Sequence, residues 1–195
     1  MLRIVQAPNP VLSTPAKPVT KIDKSLHHLL KQMEEALISA RDPEGVGLAA
    51  PQVGKSLQLF IIKQTPRSPL LVFINPHIES SFDAPKEKSS EHPTSISDDQ
   101  KNAKEDKGVQ LEGCLSLKDI WGVVKRDYGL ILSYEDESGK KHRKKFEGFI
   151  ATIIQHECDH LNGILFPKRV LEQKGKLYKS IKNTKGQQEF EEIEL

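Results

Sequence analysis

His156 and His160 stand four positions apart in the segment Gln155 to Gly163, QHECDHLNG, and this His-Glu-x-x-His spacing constrains the chain more than any other feature. Four residues is about one helical turn, so both imidazoles project from one face only if the segment is a helix, and there they can grip one cation with Glu157 beside it. The apolar residues agree. Phe149, Ile150, Ile153, Ile154 and Leu161 recur at helical spacing from about Glu147 onward, and Asn162-Gly163 is a stop signal. Ile150, Ile154 and Leu161 make one side, expected to face a core. Phe149 and Ile153 fall on the ligand face before His156, where they either line a pocket or belong to a helix buried all round.

Two histidines leave a coordination shell incomplete, because a site that activates water uses three protein ligands and one open position. The sequence restricts where the third comes from. An extended His-Glu-x-x-His-x-x-Gly-x-x-His protease pattern would need a histidine at 166, and Phe166 stands there; no histidine follows His160 at all. A downstream glutamate ligand on another helix has only Glu172 and a polar tail to draw on. An upstream ligand is the better choice, and Cys114, in the strand-like GCLS of Gly113 to Ser116, is the best candidate. A metal-activated hydrolase is the chemistry that this set of residues suggests.

Three motifs then occur in order: GVGLAAPQ (Gly45 to Gln52), EGCLS (Glu112 to Ser116) and QHECDHLNG (Gln155 to Gly163). In these the chain resembles the peptide deformylases, enzymes that remove the formyl group from the initiator methionine of new polypeptides, and the likeness extends from RIVQAPNPVL to about Phe166. The resemblance implies an α+β fold, with mixed or antiparallel sheets packed around the central motif-bearing helix. It implies Cys114, His156 and His160 as metal ligands, Glu157 as general acid/base, and the Gln52 amide with the backbone N–H of Leu115 as oxyanion donors. Val46, Gly47, Phe149 and Ile153 would bind the substrate, three of them walling a methionine pocket. The implied cofactor is one ferrous ion per chain, with zinc, nickel or cobalt as substitutes; a Cys-His-His shell suits zinc by affinity, while geometry and supply can select iron. A cation that lowers the pKa of bound water makes hydroxide available to attack the formyl carbon, with Glu157 taking the proton and returning it to the departing amine.

Other residues in the motifs carry two readings each. Gly45 and Gly47 either let the backbone approach substrate or are turn glycines after Asp42-Pro43. Gln155 and Asp159 either orient the ligands or are exposed helix polars. Cys158 reads as a small buried side chain. His27, His28, His77, His92 and His142 have no ligand partners at useful spacing and are expected on the surface.

At 195 residues and 36% hydrophobic content the chain can bury a core, and it is expected to form a single domain over 1–195. Two cysteines, one a candidate ligand, point to a reducing compartment; a Cys114 to Cys158 bridge is the alternative. No apolar run approaches the ~18 residues of a membrane span, and Met1 to Val11 lacks the form of a targeting peptide, so a cytoplasmic monomer that meets neither DNA nor membrane is expected.

Asp23 caps an expected helix to about Ala40, buried through Leu26, Leu29, Leu30, Met33, Leu37 and Ala40. Leu57 to Ile62 and Leu70 to Ile74 read as strands, and Leu130 to Tyr134 with Lys144 to Phe146 as a hairpin about Glu137-Ser138-Gly139. Glu79 to Gly108 holds Phe82 and Ile96 as its only large apolar residues; it reads as a flexible insertion, either a solvated loop or an element that covers the site or recruits a partner. A polar tail is expected from about Glu172. After EGCLS this chain has Lys118 and Trp121 where the family often has a proline and then a basic residue, and Gln110 takes a position usually apolar, so contacts to the substrate are expected to differ. Lys140 to Lys145 and the lysines from Lys168 to Lys185 are either solvated faces or contacts to the ribosome surface, where N-formylmethionyl nascent peptides emerge. Two other classes remain: a deformylase-like binding protein that acts through the insertion, and a general zinc peptidase.

Overall fold

The computed structural model describes residues 2–40, 44–84, 110–182 and 187–194. Asp23 opens the first helix, α1 (Lys24–Ser39), its carboxylate accepting from the Ser25 N–H at 2.9 Å and the Leu26 N–H at 3.1 Å. Leu26, Leu29, Leu30, Met33, Ala36 and Leu37 form the buried stripe; Ala40 caps the helix outside it.

A five-stranded antiparallel sheet follows. Its strands are β1 (Gly47–Ala49), β2 (Leu59–Ile62), β3 (Leu71–Phe82), β6 (Gly129–Glu135) and β7 (Lys141–Glu147), hydrogen-bonded in that order. The run Leu-Phe-Ile-Ile of β2 is buried at every position because the sheet is covered on both faces. Leu59 and Ile61 pack on the α1 side, and Phe60 and Ile62 on the side of α2 (Phe149–Leu161). The motif helix therefore lies against the sheet, closed at its end by Gly163, whose φ of +69° and whose contact with the Ser13 and Thr14 backbone leave no room for a side chain.

A second sheet has the order β4 (Gln110–Cys114), β5 (Leu117–Val124), β8 (Leu177–Lys182) and β9 (Gln188–Glu192), with α3 (Phe166–Glu172) packed beside β5. Here the structure departs from the expected polar tail. After Glu172 the chain returns as a hairpin on the edge of β5, because Leu177 is buried, Ile193 packs with it, and Phe190 stands edge-on to Trp121. The expected insertion starts later than Glu79. Glu79 to Phe82 continue β3 past two irregularities near Pro76 and Ile78, held by pairing with β6, by Arg143 on Glu79 at 2.8 Å, and by the Phe82 ring filling the space over Gly129. Residues 85–109, with His92 and Ile96, and Asp42-Pro43 lie outside the described residues. His142 is not on open surface: it is half-buried, 2.6 Å from Asp136 and stacked on Tyr134. Among the described residues no helix is long and apolar enough to cross a membrane.

Candidate metal centre

β4 and α2 meet end to side, and their meeting brings three ligand types together. Cys114 Sγ and the imidazoles of His156 and His160 offer atoms that all lie within 4.8 Å of one another, with Sγ 3.2 Å from His160 Nε2. A register shift between Gly113 and Cys114 turns the cysteine out of the ladder toward the helix. Its sulfur accepts from the Ser116 N–H at 3.4 Å and from the Gln52 amide at 3.5 Å. Cys158 is buried and free, its thiol pushed up to about 12 by burial, so it stays an apolar neighbour; Cys114 is free as well.

The donor set fits a cation. His160 is buried and held well below its ordinary pKa by burial, so it is the neutral imidazole that a metal requires. His156 presents its Nδ1–H to Glu112 Oε2 at 2.9 Å, which fixes the tautomer and aims the other ring nitrogen at the cluster. Glu157 is 3% exposed, and its Oε2 has no hydrogen-bond partner among the described residues. A buried carboxylate oxygen without a donor is costly, and it points to a group that binds beside the three candidate ligands. Burial pushes the Glu157 carboxyl up to about 7.

The other flank comes from β1 and the 3-10 turn Ala50–Val53. Gln52 is buried; its Oε1 accepts from the Ala49 N–H at 2.8 Å, leaving Nε2 turned to Cys114. A Cβ on Gly47 would fall on Glu157 Oε1 and meet Ile153 Cγ2 at 2.9 Å, so only glycine lets β1 come this close. Val46 is half-buried, Ile153 is buried on this face, and Phe149 is 45% exposed at the first turn of α2. Leu115 is half-buried over Gly45, with Gln6 Nε2 donating to its carbonyl at 2.9 Å.

The sequence allows Gln155 and Asp159 either to orient the candidate ligands or to be exposed helix polars. Gln155 ties the backbone of Asp127, and Asp159 binds two arginines; neither is hydrogen-bonded to the histidines in the structure. The carboxylate that meets a candidate ligand is Glu112, on His156 Nδ1. Both its oxygens take Arg126, Nε at 2.8 Å and Nη2 at 3.0 Å, while Arg126 Nη1 reaches Asp159 Oδ2 at 2.6 Å and Arg169 Nη2 reaches Asp159 Oδ1 at 2.6 Å. Burial would raise the Glu112 pKa, but the bonds from His156 and Arg126 outweigh it and hold it down at about 2. Glu112 stands inside EGCLS two positions before Cys114, but the register shift between Gly113 and Cys114 interrupts the strand alternation, so that spacing alone does not signal a shared face. Arg126 belongs to no motif.

A family model described as polypeptide deformylase matches residues 1–176. Peptide deformylase 1 of Bacillus cereus is 38% identical over 170 residues, covering 87% of this chain and 92% of its own length. The peptide deformylase of Borreliella burgdorferi is 35% identical over 188 residues, covering 95% and 98%. Among solved structures, a peptide deformylase from Synechococcus elongatus in complex with actinonin aligns with a TM-score of 0.69 at 36% identity, over 86% of this chain and 78% of that one.

Proposed function

The chain belongs to the polypeptide deformylase family, hydrolases that take the N-formyl group from nascent peptides, and from that premise we propose that Cys114, His156 and His160 hold one divalent cation while Glu157 moves the proton. The observation that carries this reading is the position of Glu157, buried between Gly47 and the three-residue cluster with one oxygen unpartnered among the described residues. When bound, the cation supplies Lewis acidity, polarising the formyl carbonyl and making a water acidic enough to react near neutrality.

The chain's own residues then divide the work. Glu157 takes one proton from the attacking water as its oxygen bonds to the formyl carbon. The Gln52 Nε2 amide and the Leu115 N–H donate to the oxygen on which negative charge develops. As the carbon–nitrogen bond breaks, Glu157 returns the proton to the leaving nitrogen, so that formate and a free amino terminus result. Ile153, Val46 and Phe149 offer the methionine side chain an apolar wall, open at the Phe149 end. The rest of the peptide has a path. Among the described residues β1 and β4 are each the last strand of their sheets, and both end at the centre, so an extended peptide can hydrogen-bond to a free edge.

Iron is the cation we favour, with zinc, nickel or cobalt as substitutes, since the Cys-His-His set accepts all four. The test is formate release from an N-formylmethionyl peptide by protein loaded anaerobically with ferrous iron, beside Glu157→Gln. Turnover that Glu157→Gln reduces by at least about a hundredfold supports the assignment. Wild-type protein that binds the metal and releases no formate overturns it.

A further inference from the structure

Trp121 on β5 is the cross-strand partner of Gly113 on β4, the residue before the proposed ligand Cys114. Its six-membered ring covers Gly113 so closely that a Cβ on the glycine would meet three ring atoms at 2.8 to 3.0 Å. The ring thus reaches over β4 toward that strand's outer edge, where no described strand follows. On its other side Phe190 stands edge-on, with centroids 5.8 Å apart and planes at 83°. Phe190 comes from β9, beyond the residues 1–176 that the family model matches. Cross-strand neighbours share a face of a sheet. A peptide that adds to the edge of β4 therefore places the residue opposite Gly113 on the face of Trp121, with no glycine side chain between them.

We propose that Trp121, buttressed by Phe190, is an apolar shelf that selects the substrate residue paired with Gly113, favouring aromatic and aliphatic side chains over polar ones at the first or second position after methionine. The proposal rests on the deformylase reading for the direction of the peptide. Lys118 and Asp119, the other side chains near the turn, are exposed and offer no apolar surface. Phe190 acts through Trp121, fixing the ring over the glycine, so it is a positioning residue.

Trp121 is the only tryptophan in the chain, so its emission reports on the shelf alone. The full-length, iron-loaded protein is titrated with the product peptides Met-Phe-Ala and Met-Ala-Phe and their seryl counterparts, in wild type, Phe190→Ala and Phe190→Leu. Saturable change in emission is expected, with a phenylalanyl peptide bound about two- to tenfold more tightly than its seryl counterpart, the range that one aromatic contact supplies. Phe190→Ala is expected to bring that ratio to about one, and Phe190→Leu to restore part of it. Formate release from the N-formyl forms of the same peptides is measured beside it, where the ratio of kcat/KM between phenylalanyl and seryl substrates should fall in the same way through KM.

Equal affinity for phenylalanyl and seryl peptides in wild type, or a preference that Phe190→Ala leaves intact, overturns the shelf. No emission change with any peptide overturns it too, even if formate is released. A phenylalanine preference in emission without formate release supports the shelf and removes the deformylase reading instead.

Discussion

Glu112 Oε2 lies 2.9 Å from His156 Nδ1, and the same carboxylate is clasped by the guanidinium of Arg126. One side chain thereby couples a proposed metal ligand to a buried ion network that spans β4, the β5–β6 connection, α2 and, through Arg169, α3. Orientation of His156 is inherited from four elements of the fold.

Glu112→Gln should weaken metal binding. The amide oxygen can still accept from His156 Nδ1–H, but the NH2 group then faces Arg126, so the side chain must give up one partner. Loss of a group that orients a ligand imidazole commonly lowers metal affinity by about 10- to 100-fold. Competition with a chelator measures it, and a change below about twofold would remove Glu112 from this role.

Arg126→Ala should destabilise the fold rather than tune the site alone. The Arg126, Glu112 and Asp159 side chains are each 9% exposed or less, and removing the guanidinium takes a buried partner from both carboxylates. Breaking such a buried pair costs about 3–5 kcal/mol. Arg126→Lys keeps the charge but cannot fork to both carboxylates, so it should recover only part of the loss. Urea unfolding of the three proteins gives the order; an Arg126→Ala variant within about 1 kcal/mol of wild type would show that Arg169 alone holds Asp159.

How much of this was legible before the structure follows from residue types. The two histidines and Glu157 are bound to one helix by local spacing, and local spacing is what sequence carries best. The stripe of α1 is equally local, and so is its cap. Glu112 was in plain view, but the bulge before Cys114 disguises the shared face, and its partner Arg126 arrives through a sheet pairing with no local trace. The C-terminal hairpin was hidden for another reason. Leu177, Ile181, Phe190 and Ile193 are spread among lysines and glutamates that satisfy one another across β8 and β9, such as Lys176 on Glu192 at 2.7 Å, and a polar average conceals two strands. β3 outran its expected end because Glu79 to Phe82 are stabilised by neighbours on β6 and β7 and not by their own composition.

The β6–β7 turn should carry a pH-dependent share of stability. Hydrogen bonds from Ser138, then from His142, hold the Asp136 carboxyl well below its ordinary value of 3.8. A carboxylate whose pKa is depressed in the folded state contributes stability that is complete above the unfolded pKa and lost as pH falls through the folded one. Asp136→Asn should therefore lower Tm at neutral pH, and its gap to wild type should close as pH drops below 3.8. Thermal melts of both proteins from pH 7 to pH 2 decide this, and a gap that stays constant across the series would assign the effect to turn geometry alone.

Gly47→Ala is the sharpest test of how the site is assembled. The added methyl would fall on Glu157 Oε1 and within 2.9 Å of Ile153 Cγ2, and both are buried with no open side to retreat into. β1 is three residues long and paired to β2 through Gly47 to Ile62, so the strand and the carboxylate must share the displacement. Overpacking of this kind costs about 1–3 kcal/mol, which leaves a folded protein to assay. A reacting carboxylate moved by about 1 Å can lose a hundredfold in rate. Formate release should fall by about that factor, chiefly in kcat, while cation affinity should hold because none of the three proposed ligands touches Gly47 in the contacts seen. If activity instead falls only in proportion to metal lost, Glu157 is not set by the approach of β1, and its position comes from α2 alone.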